Sequence, residues 1–290
     1  MTFQTAYDSY RDFIGLGSLP QSRKRGPGRP PKRNKIVVAG DLHCPWQHKE
    51  AIVSLISEES ADTDLLVING DLMDLWSASR WRKQAQETDI QTELAESQAT
   101  LCLLAEHFKK IVVLGGNHDS RPSKLLSESL PLEMMTYLRI VAPHSLNPLQ
   151  FLAHGLSNVE IAEPIRSDHA EFGFLYQVGD MVCSHAETYS RIPVKAAGTV
   201  SHWINSFAIP QGVVRGPVRC VIQAHTHQAG LALGDYGAMQ IEGGCLCHTE
   251  SYVGSAKIMT PRPWAVGWTV VYQDGGKTDF RSSRFIPFQA

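Results

Sequence analysis

The chain has 290 residues, is 43% hydrophobic and carries a formal net charge of −2, enough apolar material for a continuous core in one large domain. No run of about eighteen apolar residues exists to span a bilayer, and Met1-Thr2-Phe3-Gln4 lacks the basic-then-apolar order of a secretion signal. Six cysteines, at 44, 102, 183, 220, 245 and 247, are scattered without the dense spacing of a secreted disulfide framework, so a reduced, cytoplasmic protein with no membrane partner is expected.

Residues 1–17 carry Phe3, Tyr7, Tyr10 and Phe13 at roughly helical spacing, which predicts a short helix docking on the body or on a partner. From 18 to 35 the chain is rich in Pro, Gly, Arg and Lys. Pro27, Pro30 and Pro31 forbid a helix there, so an extended linker is expected. Seven basic residues and no acid lie between Arg23 and Lys35; taken from a total of −2, they leave the rest of the chain at −9. A negative body repels polyanions, which concentrates any affinity for nucleic acid in the linker. The folded domain is expected over 36–290.

Ile36–Gly40, Leu65–Ile68 and Ile111–Leu114 are short apolar, β-branched runs of the kind that form buried strands, and each opens into a polar loop. Helices are expected over His48–Glu59 and, with an amphipathic pattern, over Asp89–Lys109. This alternation is the signature of a parallel sheet with functional loops at the carboxyl ends of its strands. After helical matter around Lys124–Ile140 the pattern changes. A hairpin of Phe172–Val178 and Met181–Ser184 turns at Gly179-Asp180, Val218–Ala224 ends at His225, and further strands cover Gly230–Leu233, Ala238–Ile241 and Val266–Tyr272. Two packed sheets with helices outside are expected. Cys245-Leu246-Cys247-His248 reads as buried strand cysteines, because structural zinc normally takes two such pairs.

Five patches close these runs: Asp41-Leu42-His43, Gly70-Asp71-Leu72-Met73-Asp74, Gly116-Asn117-His118-Asp119, Ser184-His185 and His225-Thr226-His227. Singly each has a plain explanation, Gly-Asp as a turn or Asn-His-Asp as a helix cap. Jointly they supply four carboxylates, an amide oxygen and several imidazoles, the mixed cage that a pair of divalent cations takes. The order D-x-H, G-D-x-x-D, G-N-H-D, H, H-x-H resembles the calcineurin-like metallophosphoesterase family over about Lys35–Tyr272. The resemblance implies a four-layer α/β/β/α sandwich of two mixed β-sheets flanked by helices, with a dinuclear metal centre at the strand ends. It makes Asp41, His43 and His227 ligands of one metal, Asp71 the bridging carboxylate, and Asn117, His185 and His225 ligands of the other. It implies phosphoester hydrolysis by a metal-activated hydroxide. His118, beside a ligand, is then placed to protonate the leaving oxygen, with Asp119 or Asp74 orienting a histidine. Mn²⁺ is favoured by the resemblance, and the donor set also suits Fe²⁺, Zn²⁺, Co²⁺ or Ni²⁺. Asp-Arg-Gly, which marks the family's Ser/Thr protein phosphatases, is lacking after Asp71.

Lys24–Lys32 resembles an AT-hook, a short DNA-binding motif centred on Gly-Arg-Pro. An extended strand that is thin at Gly28 fits a narrow A·T minor groove, whose potential attracts Arg29. Arg25, Gly28, Arg29, Pro30 and Lys32 are the candidate contacts, and Pro27 stands where an arginine is usual. The leading expectation is a phosphodiesterase, nuclease or phosphatase acting on DNA. Its alternatives are a phosphomonoesterase or nucleotide phosphodiesterase for small or protein substrates, and an inactive DNA-binding adaptor. Arg80, Trp81, Arg82 and Lys83 follow the Asp71 loop closely enough to border the site.

Overall fold

Strands β1 (Asn34–Ala39), β2 (Leu65–Asn69), β3 (Ile111–Leu114) and β4 (Val159–Ile161) pair in parallel, with Val37 opposite Leu66, Val67 opposite Val112 and Ile111 opposite Val159. The computed structural model describes residues 1–14, 33–79, 88–141, 147–166, 171–249 and 264–289. Parallel pairing needs crossovers. Helices α2 (Lys49–Glu59) and α3 (Ile90–His107) make the first two, and α4 (Arg121–Ser129), α5 (Leu132–Val141) and α6 (Pro148–Ala153) lie within the third. The side chains of His48 and Asp89 cap α2 and α3, each accepting a backbone N–H.

The period of two along each strand sorts the side chains into layers. Val37, Ala39, Leu66, Ile68, Ile111 and Val113 turn outward onto Ile52 and Leu55 of α2 and Leu101 and Leu104 of α3. Ile36, Val38, Val67, Val112 and Leu114 turn inward, where they meet Met181, Cys183, Cys220, Ile222, Met239 and Ile241 of a second sheet. That sheet holds β7 (Leu175–Val178), β8 (Met181–Ser184), β9 (Cys220–Gln223), β10 (Ala229–Leu233) and β11 (Met239–Gly243) in the order β10-β11-β9-β8-β7. On its outer face Val182 and Val221 pack against Val200 of α7 (Lys195–Trp203) and Ile204 beyond it. β12 (Gly267–Asp274) adds antiparallel to β1, with β13 (Lys277–Thr278) and β14 (Arg284–Pro287) paired to it, so the first sheet is mixed and seven-stranded. The result is a four-layer sandwich. Asn69 ties its two sheets together just below the strand ends, its Nδ2 donating to Ser184 O at 3.2 Å and Ile222 O at 3.3 Å.

Helix α1 (Phe3–Ile14) lies on α3. Tyr10 is fully buried there, its hydroxyl 2.9 Å from Thr100 Oγ1 and accepting from Gln47 Nε2 at 2.8 Å.

Two expectations are corrected. Phe172–Val178 is not one strand: a turn at Gly173-Phe174 separates β7 from the ribbon of β5 (Ile165–Arg166) and β6 (Glu171–Phe172). Cys245 and Cys247 are buried but lie outside any strand, in single bridges either side of a bend at Leu246. Arg25, Gly28, Arg29, Pro30 and Lys32 lie outside the described residues, as do Arg80, Trp81, Arg82 and Lys83. Among the described residues no helix is long and apolar enough to cross a membrane.

Candidate metal centre

Each of the polar patches leaves a strand at its carboxyl end, and the parallel register brings them to one edge of the sandwich. The turns are tight enough to force unusual backbone: Asp41, His43, Asp71, His225 and His227 have φ of 52°, 49°, 50°, 75° and 58°. Left-handed backbone is sparsely populated by residues other than glycine and collects at functional sites. Two glycines make room. A Cβ on Gly70 would fall on the His185 imidazole, and one on Gly116 would fall on the Asp71 carboxylate.

The seven expected ligands converge in two groups. In the first, His43 Nε2 lies 3.1 Å from His227 Nε2, and Asp41 Oδ1 is 3.7 Å from the former and 3.5 Å from the latter. In the second, Asn117 Oδ1 stands 2.8 Å from His225 Nδ1 and 3.3 Å from His185 Nε2. Asp71 Oδ2 faces both, 3.1 Å from His185 Nε2 and 3.7 Å from His43 Nε2, while its other oxygen accepts the His118 backbone N–H at 2.8 Å. Side-chain oxygens and imidazole nitrogens gathered this closely fit a pair of divalent cations sharing one carboxylate.

Outer partners fix which nitrogen each ring presents. His185 Nδ1–H donates to Asn69 O at 2.8 Å, and His43 Nδ1–H to Asp74 Oδ1 at 3.1 Å, so both rings turn Nε2 inward. Burial works against a charged His43, but hydrogen bonds to Asp41 and Asp74 outweigh it and raise the imidazole to about 10. His185 rises in the same way to about 9 through Asp71 and Asp41. His225, disfavoured by burial and by His185, falls to about 4. Burial alone would raise Asp41 and Asp71, yet the surrounding imidazoles hold both below the ordinary carboxylate range. The Asp41 and Asp71 carboxylates thus face protonated His43 and His185. Their protons are ones that divalent ions would displace.

His118 lies at the rim. Its Nδ1–H reaches Asp74, the backbone O at 2.9 Å and Oδ1 at 3.0 Å, and its Nε2 is 3.9 Å from Asp71 Oδ2. Arg121 Nη2 donates to that Nε2 at 3.0 Å, and Nη1 donates to Asp74 O at 2.6 Å. Asp119 points elsewhere: it accepts the backbone N–H groups of Met73 at 3.0 Å and Gly116 at 2.9 Å, clamping two ligand loops together. Burial and the Asp71 charge raise it to about 6. Of the two carboxylates offered as orienting groups, Asp74 is the one against the histidines. Arg121 was legible only as a basic residue after Asn-His-Asp. Cys247, whose Sγ is 3.9 Å from His227 Nδ1, carried only the signal of a C-x-C-H string.

Residues 34–229 match the calcineurin-like phosphoesterase family, and the chain belongs to it. All seven candidate ligands of the chain lie within the matched residues. Over 105 residues it is 33% identical to the Gene 54 protein of Mycobacterium phage D29, a match that covers 33% of this chain and 40% of that protein. A metallophosphoesterase from Sphaerobacter thermophilus shares 12% identity at a TM-score of 0.42 over 89% of each chain. Phosphopantetheinyl hydrolase from Mycobacterium tuberculosis shares 12% at 0.34, over 79% of this chain and 97% of that one.

Proposed function

We propose that this chain is a two-metal hydrolase of phosphodiester bonds in DNA, with Asp41, His43 and His227 around one cation, Asn117, His185 and His225 around the other, and Asp71 between them. The observation that carries it is the Asp71 carboxylate facing both groups from one oxygen. Two divalent cations held there, Mn²⁺ first among the candidates, would polarise phosphoryl oxygens and lower the pKa of a water between them.

The chain's own groups do the rest. Asp74 holds the His118 ring so that Nε2 looks into the site. A proton on that nitrogen passes to the leaving oxygen, and Arg121, displaced from it, takes an anionic oxygen of the substrate. Asp119 acts from behind, by keeping the two ligand loops in register.

DNA as substrate rests on the basic arm. Arg33, paired with Asp279 at 2.6 Å, enters β1 at the end away from Asp41. Six strand residues separate the two, roughly 20 Å. An arm anchored there selects the stretch of duplex rather than the scissile bond. Neutralising Arg25, Arg29 and Lys32 together, in the full chain, should weaken duplex binding and flatten its log K against log salt slope by about three. Truncation is the poorer test, because it removes Tyr10 from its buried seat on α3.

A second reading has an observation of its own. Beside Asn117 lies a cavity of about 320 Å³ carrying Arg121 and Lys124, which suits a nucleotide or another small phosphomonoester. Hydrolysis of bis-p-nitrophenyl phosphate, p-nitrophenyl phosphate and single- and double-stranded DNA, with Mn²⁺ and with His118→Asn alongside, separates them. Diester and DNA cleavage lost in the variant supports the first reading; monoester cleavage alone replaces it with the second.

A further inference from the structure

Behind His227, on the side away from Asp41 and His43, two thiols close the wall of the metal centre. Cys245 and Cys247 are both fully buried, and their sulfurs and a ring nitrogen of His227 lie within 4.8 Å of one another. The histidine has two faces: Nε2 looks toward Asp41 Oδ1 at 3.5 Å, and Nδ1 toward Cys247 Sγ at 3.9 Å. Between the cysteines, Leu246 sits at a bend that sets the two thiols side by side. Its N–H donates to Gly40 O at 3.1 Å and Asp41 O at 3.2 Å, and its carbonyl accepts from His48 N at 2.8 Å. Three consecutive residues therefore hold His227 by a side chain and the Asp41 loop by their backbone.

We propose that Cys245 and Cys247 form an oxidative modification site, taking hydrogen peroxide and yielding a disulfide that weakens the metal position of Asp41, His43 and His227. This rests on the reading of those three residues as ligands. One sulfur attacks an oxygen of the peroxide, the O–O bond breaks, and the thiol becomes a sulfenic acid as the other oxygen leaves as water. The second sulfur displaces the sulfenic oxygen, which leaves as a second water. Two thiols give up two protons and two electrons, and the peroxide is reduced to two waters.

The consequence follows from geometry. A disulfide needs its sulfurs about 2.05 Å apart and narrow limits on the backbone that carries them. Cys247 Sγ must then turn from His227 Nδ1 to Cys245, and Leu246 must readjust where it holds Asp41. A ligating histidine that loses its outer partner loses a fixed tautomer and ring orientation, typically 10–100-fold in metal affinity. Hydrogen peroxide is barely larger than water, and His227, against which the pair lies, keeps 8% exposure.

The test uses the full chain, reduced and stripped of metal, treated with hydrogen peroxide that is then removed by catalase. Intact mass and peptide mapping after alkylation should show the loss of two hydrogens, about 2 Da, in the peptide bearing both cysteines. Mn²⁺ binding, followed by equilibrium dialysis and metal analysis, should weaken 10–100-fold at one of two positions and recover with dithiothreitol. Cys245→Ser, which keeps Cys247 beside His227, should bind Mn²⁺ alike before and after peroxide; Cys245→Ala serves if the serine misfolds. Absence of the disulfide, or a disulfide with unchanged Mn²⁺ binding, overturns the proposal. A reduced protein that binds no Mn²⁺ yet forms the disulfide overturns the ligand reading, and the metal coupling with it, while the thiol chemistry stands.

Discussion

Asp74 serves two histidines with one oxygen, orienting a candidate metal ligand, His43, and the candidate acid, His118. Asp74→Asn keeps the shape but not the charge. Mn²⁺ affinity should fall about 10–100-fold, and kcat should fall further than metal occupancy explains, because His118 is loosened as well. Metal analysis beside single-turnover rates checks both, and unchanged values would remove Asp74 from the machinery. Gly116→Ala should abolish metal uptake while circular dichroism shows a retained fold, since its Cβ and the Asp71 carboxylate cannot share one place. The candidate ligands stood out because each donor follows closely on an apolar run. The outer partners were legible only in part: Asp74 and Asp119 were both candidates, and only Asp74 lies against the histidines. Asp119 is next to His118 in sequence, yet the turn aims its carboxylate at Met73 N and Gly116 N, a direction that no residue pattern encodes.

Packing between α1 and α3 decides whether the N-terminal helix behaves as part of the body. Tyr10→Ala should cost about 3–5 kcal/mol in denaturant unfolding through the cavity it leaves. Tyr10→Phe should cost about 1 kcal/mol, because Gln47 Nε2 keeps Glu96 Oε2 at 2.9 Å. Equal midpoints for both variants would mean that the helix detaches before the body unfolds. The aromatic spacing signalled this helix, but nothing in the spacing named its partner, which lies some ninety residues away in α3. Strands β1, β2 and β3 were plain because their centres are buried on both faces and Ile36–Ala39, Leu65–Ile68 and Ile111–Leu114 are apolar throughout. The break between β6 and β7 was hidden, because Gly173 is compatible with a strand interior and only the pairing of Phe172 with Ile165 draws the chain aside. Short β4, β13 and β14 gave too few residues for a period to show.

For the whole molecule, proton and metal compete for one set of nitrogens. His43 and His185, raised to about 10 and about 9 in the folded chain, stabilise it fully below about pH 6.5, and that contribution is lost as the pH rises through those values. Asp41, Asp71 and Asp74, held below their ordinary range, contribute above about pH 4 and lose it in acid. The metal-free protein should therefore melt highest between roughly pH 4 and 6.5. Added Mn²⁺ should raise Tm more at pH 8 than at pH 6, with protons released on binding. Thermal scans from pH 5 to 9, with EDTA and with Mn²⁺, check the sign, and a gain that shrinks as pH rises would refute it. The left-handed backbone at Asp41, His43, Asp71, His225 and His227 adds a cost of about 1–3 kcal/mol per residue, which bound cations would help to offset. A newly made chain short of metal would thus meet cellular proteases with its loops loosened, and the protein's lifetime, not only its turnover, would follow the metal supply.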